Sequence, residues 1–220
     1  MHHTQKNLIE IKEKIKDKID KLNLSEYDPK IIAVSKTFGI NKIMPLIDYG
    51  HIDFGENKVQ EAVDKWTEIK DRNENIKLHM IGKLQTNKVR FAVKLFDYIH
   101  SVDSQKLALK ISDESLKINK KIKIFIQVNI GEEIQKAGTN KEEVENLVLF
   151  CRKLNLDIIG LMCIPPINLD SEKYFKEMSI LNKNLGFSEL SMGMSSDYLK
   201  ASENFSTFVR IGSSIFGPRN

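Results

Sequence analysis

Cysteine is scarce: Cys151 and Cys163 are the two in 220 residues. Two thiols are too few for a disulfide framework, and the polar, acid-bearing start MHHTQKNLIEIKEK lacks the apolar centre of a secretory signal. The sequence therefore predicts a cytoplasmic protein. Long hydrophobic runs are missing too. The longest mostly apolar stretch, Ile158 to Ile167, is broken by prolines and falls short of the roughly 18 residues that suggest a membrane span. No membrane partner is expected. Neither sign of charge dominates, since 34 basic residues against 30 acidic leave +4. That excess is too small and too dispersed to mark a nucleic-acid surface. What is present is enough for a core: 41% of residues are hydrophobic and 29% charged, which argues against wholesale disorder. The length suits one domain, taken here as residues 1–220.

Short apolar or β-branched runs alternate with longer amphipathic segments. The runs are Ile31 to Val34, His51 to Phe54, Lys77 to Ile81, Tyr98 to Ser101, Ile122 to Asn129, Ile158 to Cys163, Glu189 to Met192 and Phe208 to Ile211. Between them, Val59, Ala62, Val63 and Trp66 share one helical face, as do Val144, Leu147, Val148 and Cys151. Thr139 and Glu142 have the spacing of a capping box ahead of the second. Strands separated by helices run parallel. Eight of them match a closed α/β barrel, a (β/α)8 TIM barrel; an open doubly wound sheet has the same alternation. Only SSIFGPRN follows the eighth run, too short for a full helix. Thr4 to Leu22, with Leu8, Ile11, Ile15, Ile19 and Leu22 on one face, is predicted as an extra N-terminal helix covering that place.

In such barrels chemistry gathers at the carboxyl ends of the strands. Lys36 follows the first run directly, in AVSKT. A pocket there lowers an amine's pKa and makes it a nucleophile for a carbonyl; a strand-end lysine can equally snorkel into solvent. Asn57, after Phe54-Gly55-Glu56, offers a polar group to a ligand or merely begins a helix. His79 lies within an apolar strand, where a satisfied core histidine is the commoner outcome than an acid or base. Cys163 has no partner at metal-ligand spacing, so no zinc site is expected. The seventh run leads into Ser191-Met192-Gly193-Met194-Ser195-Ser196 and the eighth into Gly212-Ser213-Ser214. Glycine lets backbone approach an anion, and a helix start adds its positive pole. Loops after strands seven and eight are where barrels commonly hold phosphate. Closure makes strands one and eight neighbours, which sets a phosphate cup beside the Lys36 amine. A phosphorylated aldehyde held as an imine fits that arrangement.

Seven motifs in order carry a resemblance over nearly the whole chain, from about Ile31 to Arg219: AVSKT, FGENKVQE, HMIGKLQTNK, VNIGEEIQKAG, GLMCIPP, LSMGMSSD and VRIGSSIFGPR. Together they resemble the pyridoxal phosphate homeostasis proteins. The resemblance implies a single barrel like the N-terminal domain of alanine racemases, with pyridoxal 5′-phosphate (PLP) held as an imine on Lys36. It implies that Arg210 faces the pyridine nitrogen. Gly212 and Ser213 would give donors to the phosphate, helped by Ser191 and Ser195. Asn57 would lie beside the cofactor, and His79 would line the pocket. Phe205, where relatives usually have glycine, Ser196 in place of a common aspartate, and Ser202 in place of an apolar residue depart from the pattern.

An arginine cannot give up its proton in the ordinary sense, so a pyridine nitrogen beside Arg210 stays unprotonated and the ring is a poorer electron sink. Alanine racemases add a second domain and a tyrosine acid/base, whereas this sequence ends soon after the eighth run. The expectation is a non-catalytic PLP carrier that serves vitamin B6 and amino-acid homeostasis. It would be a monomer, with PLP-dependent apo-enzymes as recipients. A PLP-dependent amino-acid racemase and a plain scaffold that binds another protein are the competing readings.

Overall fold

The computed structural model describes residues 1–24 and 27–218. Arg219, which ends the last of the seven motifs, lies outside the described residues. Eight strands run in chain order: β1 (Lys30–Val34), β2 (Asp53–Glu56), β3 (Lys77–Met80), β4 (Tyr98–Val102), β5 (Lys123–Val128), β6 (Asp157–Cys163), β7 (Glu189–Met194) and β8 (Phe208–Ile211). Each pairs in parallel with its sequence neighbour, and β8 returns to β1 with Lys30 opposite Phe208 and Ala33 opposite Ile211. The sheet is therefore closed, and the open doubly wound alternative is ruled out.

Side-chain alternation along these strands builds two cores. Ile31 and Ala33 point to the outer layer between sheet and helices. Ile32 and Val34 join Phe125, Met162 and Phe208 inside the barrel. The outer layer is completed by α1 (His3–Lys21), α2 (Ile40–Asp48), α3 (Val59–Arg72), α4 (Val89–Leu95), α5 (Gln105–Lys117), α6 (Val144–Lys153), α7 (Ser171–Asn184), α8 (Tyr198–Glu203) and α9 (Ser213–Phe216). Among the described residues no helix is long and apolar enough to cross a membrane.

The α1 helix takes the predicted place. Leu8, Ile11, Ile15 and Ile19 are buried, and the Asn7 amide donates to the Ile215 carbonyl at 2.9 Å, tying α1 to the single turn of α9. Leu22 was expected on the same face but is exposed, because the helix ends at Lys21 and the chain turns away there. The start of α1 is fixed by a capping box that the sequence reading missed: His2 accepts from the Thr4 N–H, and Gln5 accepts from the His2 N–H. The expected box at Thr139 and Glu142 does not form. Thr139 instead extends the sheet, donating to the Gln127 carbonyl at 2.8 Å and accepting from the Asn129 N–H at 2.9 Å.

The departure at Phe205 has a backbone cause. Beyond α8 the Ser206 N–H reaches the Ala201 carbonyl and the Phe205 N–H reaches that of Ser202, a Schellman ending whose left-handed residue is Phe205 at φ 63°. Glycine adopts that conformation without a Cβ clash, whereas Phe205 compensates by setting its ring edge-on to Tyr27. Phe205→Gly and Phe205→Ala lose the same ring contact and differ only in the left-handed cost. The glycine variant is expected to be the more stable by about 1 kcal/mol in urea unfolding. Ser202 is buried without strain, since its hydroxyl donates to the Tyr198 carbonyl one turn back.

Candidate functional site

Lys36 lies in the turn after β1, two residues beyond the inward-facing Val34, and is half-buried. Its backbone is gripped from behind by α3. The Lys65 ammonium donates to the Ser35 carbonyl at 2.9 Å, which holds the peptide leading into Lys36. Glu61 accepts from the Thr37 N–H, which holds the peptide leading out. Burial pushes the Glu61 carboxyl up, but the Thr37 N–H and Lys65 outweigh it and keep it below its ordinary value. Thr37 itself sits at φ 68°, a left-handed conformation costly for a β-branched residue. Only the contacts on either side keep it there.

Beneath this grip lies Glu56, fully buried. Its Oε1 accepts from Ser35 Oγ at 2.7 Å, Lys65 Nζ at 2.9 Å and Trp66 Nε1 at 3.0 Å. Its Oε2 has no hydrogen-bond partner among the described residues. Sequence reasoning gave no role to Glu56, Lys65 or the indole of Trp66. The available signal was Glu61 and Lys65 spaced four apart on the face next to Trp66. β2 also starts and ends two residues later than predicted, because a buried glutamate looks like a loop residue until its partners are known.

Asn57, half-buried just past β2, meets the HMIGK segment backbone to backbone. A Cβ on Gly82 would stand 2.4 Å from the Asn57 carbonyl oxygen and 2.7 Å from its Cα. Glycine is required there by close approach, and any side chain would push Asn57 aside.

Across the seam, Gly212 packs against Val34, with 3.4 Å between the Val34 side chain and the place a Cβ would occupy. The ends of β1 and β8 are thus neighbours, as closure predicts. Ser195, in the turn after β7, accepts with its Oγ from the Gly212 N–H at 3.3 Å and the Ser214 N–H at 3.4 Å. Two backbone donors at the start of α9 therefore converge on one oxygen, which is the donor set a phosphate oxygen needs. Ser213 and Ser196 are exposed beside that point. Gly193, at φ 89°, lets α8 close in, since a Cβ there would lie 2.4 Å from that of Ala201.

Arg210 is buried in the barrel interior; its two terminal nitrogens donate to Ser191 Oγ at 2.7 Å and to the Cys163 carbonyl at 2.8 Å. Among the described residues no carboxylate pairs with it. Burial lowers the Arg210 pKa from its usual value, yet a guanidinium remains a donor. The Cys163 thiol is pushed up to about 12 by burial, so it holds its proton at neutral pH.

Two of the expected residues lie away from the carboxyl-end turns. Ser191 was expected to help at the phosphate, but β7 continues to Met194, and Ser191 sits fully buried under Arg210, with the turn carried by Ser195 alone. His79 was expected to line the pocket and is withdrawn below it. It is fully buried, bonded to Asp53 and His100 and stacked on Tyr98. Although His79 and Asp53 lie within ion-pair distance, burial lowers the His79 pKa despite the carboxylate, so the contact is a hydrogen bond from a neutral imidazole to the carboxylate. Lys36, Asn57, Ser195, Gly212 and Ser213 all belong to the carboxyl-end turns, and Arg210 closes the floor beneath.

The family model described as alanine racemase, N-terminal domain, matches residues 11–220. The chain is 36% identical to the pyridoxal phosphate homeostasis protein of Vibrio alginolyticus, over 100% of this chain and 99% of that one. It is 33% identical to that of Escherichia coli K12, over 100% and 98%. The chain belongs to the pyridoxal phosphate homeostasis proteins. Another solved relative is PipY of Synechococcus elongatus, described both without PLP and with PLP bound. The form without PLP is 33% identical and superposes with a TM-score of 0.81 over 92% of this homeostasis-family chain and 100% of that one. Alanine racemase of Clostridium difficile shares the barrel at a TM-score of 0.74 but only 18% identity, with 98% of this chain on 56% of that one. That likeness concerns the fold.

Proposed function

We propose that this protein holds pyridoxal 5′-phosphate as an imine on Lys36 and maintains the cellular supply of the cofactor, without turnover of its own. When bound, the cofactor supplies an aldehyde for reversible linkage to an amine and a ring that withdraws electrons. The residues present suit such a group. The observation that carries the reading is the convergence of the Gly212 and Ser214 N–H groups on one point, one strand away from Lys36. There Gly212, Ser213 and Ser195 hold the phosphate, Asn57 lies alongside, and Arg210 meets the ring nitrogen with N–H groups left over from Ser191 and Cys163.

The same side chains support absence of turnover. Arg210 leaves the ring nitrogen unprotonated, which weakens carbanion chemistry. The Cys163 thiol, at about 12, offers no thiolate base, and burial keeps His100 neutral and engaged. A racemase needs a second acid/base opposite the lysine, and neither group can serve. The relatives' names, as homeostasis proteins, agree with a carrier role. The protein acts as a one-domain cytoplasmic monomer that passes the cofactor to PLP-dependent apo-enzymes.

The decisive measurement is visible absorbance together with intact mass after borohydride reduction. Wild type is expected to gain one cofactor on the peptide carrying Lys36, and Lys36→Ala to lose both the absorbance and the increment. Failure of wild type to take up PLP, or uptake unchanged in Lys36→Ala, overturns the reading. Amino-acid Cα exchange in deuterated water at ordinary enzyme rates, about 1 to 10³ per second, would establish the racemase instead.

A further inference from the structure

A continuous line of buried polar groups crosses the barrel interior from Arg210 to the amino end of the sheet. Arg210 donates to Ser191 Oγ at 2.7 Å, and Ser191 Oγ lies 2.9 Å from His100 Nδ1. His100 Nε2 lies 2.9 Å from His79 Nδ1, and His79 Nε2 lies 3.0 Å from Asp53 Oδ1. Asp53 opens β2 and is partly exposed, whereas the two histidines and Ser191 are fully buried. Both rings are clamped by aromatic planes: His79 on Tyr98 and His100 on Phe125, each with a centroid separation of 4.3 Å, and both against Phe208.

Proton arithmetic gives this line a direction. A carboxylate only accepts, so His79 Nε2 carries hydrogen toward Asp53. A neutral imidazole has one N–H, and burial keeps both histidines neutral, so His79 Nδ1 accepts and His100 Nε2 carries hydrogen. His100 Nδ1 then accepts from the Ser191 hydroxyl, and Ser191 turns its lone pairs to Arg210. Every donor points from the guanidinium toward the carboxylate. Arg210 has no ion-pair partner among the described residues; Asp197 acts on it through space, and this file of oriented dipoles links it by hydrogen bonds to the Asp53 carboxylate.

We propose that Ser191, His100 and His79 are positioning residues that relay the Asp53 carboxylate to Arg210 and fix the guanidinium for a ligand's ring nitrogen. This rests on the reading in which Arg210 meets the cofactor ring. The relay itself exists with or without ligand. Reversal of either tautomer alone would set two donors or two acceptors face to face between the rings, so the orientation of Ser191 is set from Asp53, at the opposite end of the line.

Two measurements test it. Long-range proton–nitrogen NMR of ligand-free protein at neutral pH is expected to show His79 and His100 both neutral and both protonated on Nε2. In Asp53→Ala, His100 is expected to shift toward the Nδ1–H form, although Asp53 does not touch it. A doubly protonated ring or an Nδ1–H tautomer in wild type, or an unchanged His100 in Asp53→Ala, overturns the relay. In the second arm, His100→Phe keeps the stack on Phe125 but removes the acceptor for Ser191. PLP is expected to leave about tenfold faster, the scale of one hydrogen bond to a charged group. Ser191→Ala is expected to behave alike and serves if His100→Phe does not fold. Release at the wild-type rate in these variants overturns the positioning role. Failure of PLP binding itself appears in the Lys36→Ala comparison, whereas the tautomers are read with no ligand present.

Discussion

Glu56→Ala is expected to destabilise the protein by about 3–5 kcal/mol, the range for removing one partner of a buried, hydrogen-bonded charge pair. Three donors converge on the single oxygen Oε1, and none has another partner that could replace the carboxylate fully. The Trp66 indole N–H would be left unsatisfied in a dry interior, and the Lys65 ammonium, largely buried, would keep only Glu61 and the Ser35 carbonyl. Glu56→Gln provides the control. Its amide oxygen can take the place of Oε1, but its NH2 then lands where Oε2 already lacks a partner, so a smaller loss of about 1–3 kcal/mol is expected. Because Lys65 and Ser35 also hold the peptide at Lys36, the alanine variant should retain PLP less well than its loss of stability alone would produce. Equal stability of Glu56→Ala and wild type in urea unfolding would refute the role given to the cluster.

Acid should unfold the protein from a higher pH than its carboxylates alone would dictate. Three histidines titrate below their ordinary value near 6.5 in the folded chain. Burial is the largest cause at His51, which is pushed down to about 4 with Lys12 assisting and Asp53 opposing. Burial likewise dominates at His79, where Asp53 and Asp97 oppose and Lys30 assists. At His100, burial, His79 and Arg210 all act in the same direction. As pH falls through about 6.5 the unfolded chain binds protons at these sites and the folded chain does not. Their contribution is complete above about 6.5 and is lost as pH drops toward the folded values. The limiting slope for three protons is about 4 kcal/mol per pH unit. Urea midpoints measured at about pH 7 and about pH 5.5 should differ accordingly; a flat profile across this window would mean the rings are not buried neutral.

The barrel was legible because its signal is periodic: apolar runs separated by helical faces need nothing but local spacing to be read. The turn that joins Ser195 to Gly212 was legible for a related reason, since glycine and serine after the last two strands are local chemistry. What escaped the sequence was buried polarity. Asp53 and His100 fell inside predicted strands and Glu56 just past one, but the partners of these polar side chains, from α3, the end of β1, β3 and β7, are set by tertiary packing that local spacing does not encode. Ser191 was assigned to the phosphate by the family resemblance, and the seventh strand, expected to end at Met192, runs two residues further. The Thr139 and Glu142 pair had capping-box spacing, but the backbone of Thr139 was claimed by the sheet. Phe205 was recognised as a departure without its cause, which is a dihedral angle rather than a contact.

The bond from Asn7 to Ile215 spans 208 positions of the chain. The α1 helix therefore completes its seat only after β8 and α9 have been made and the cylinder has closed. Until then α1, which already meets α2 through Gln5 and the Pro45 carbonyl, keeps part of its apolar face uncovered and open to adventitious association. Pairing the first and last segments also raises the mean sequence separation of native contacts, which slows folding. Ring closure and burial of α1 should accordingly occur together, as the last step of assembly.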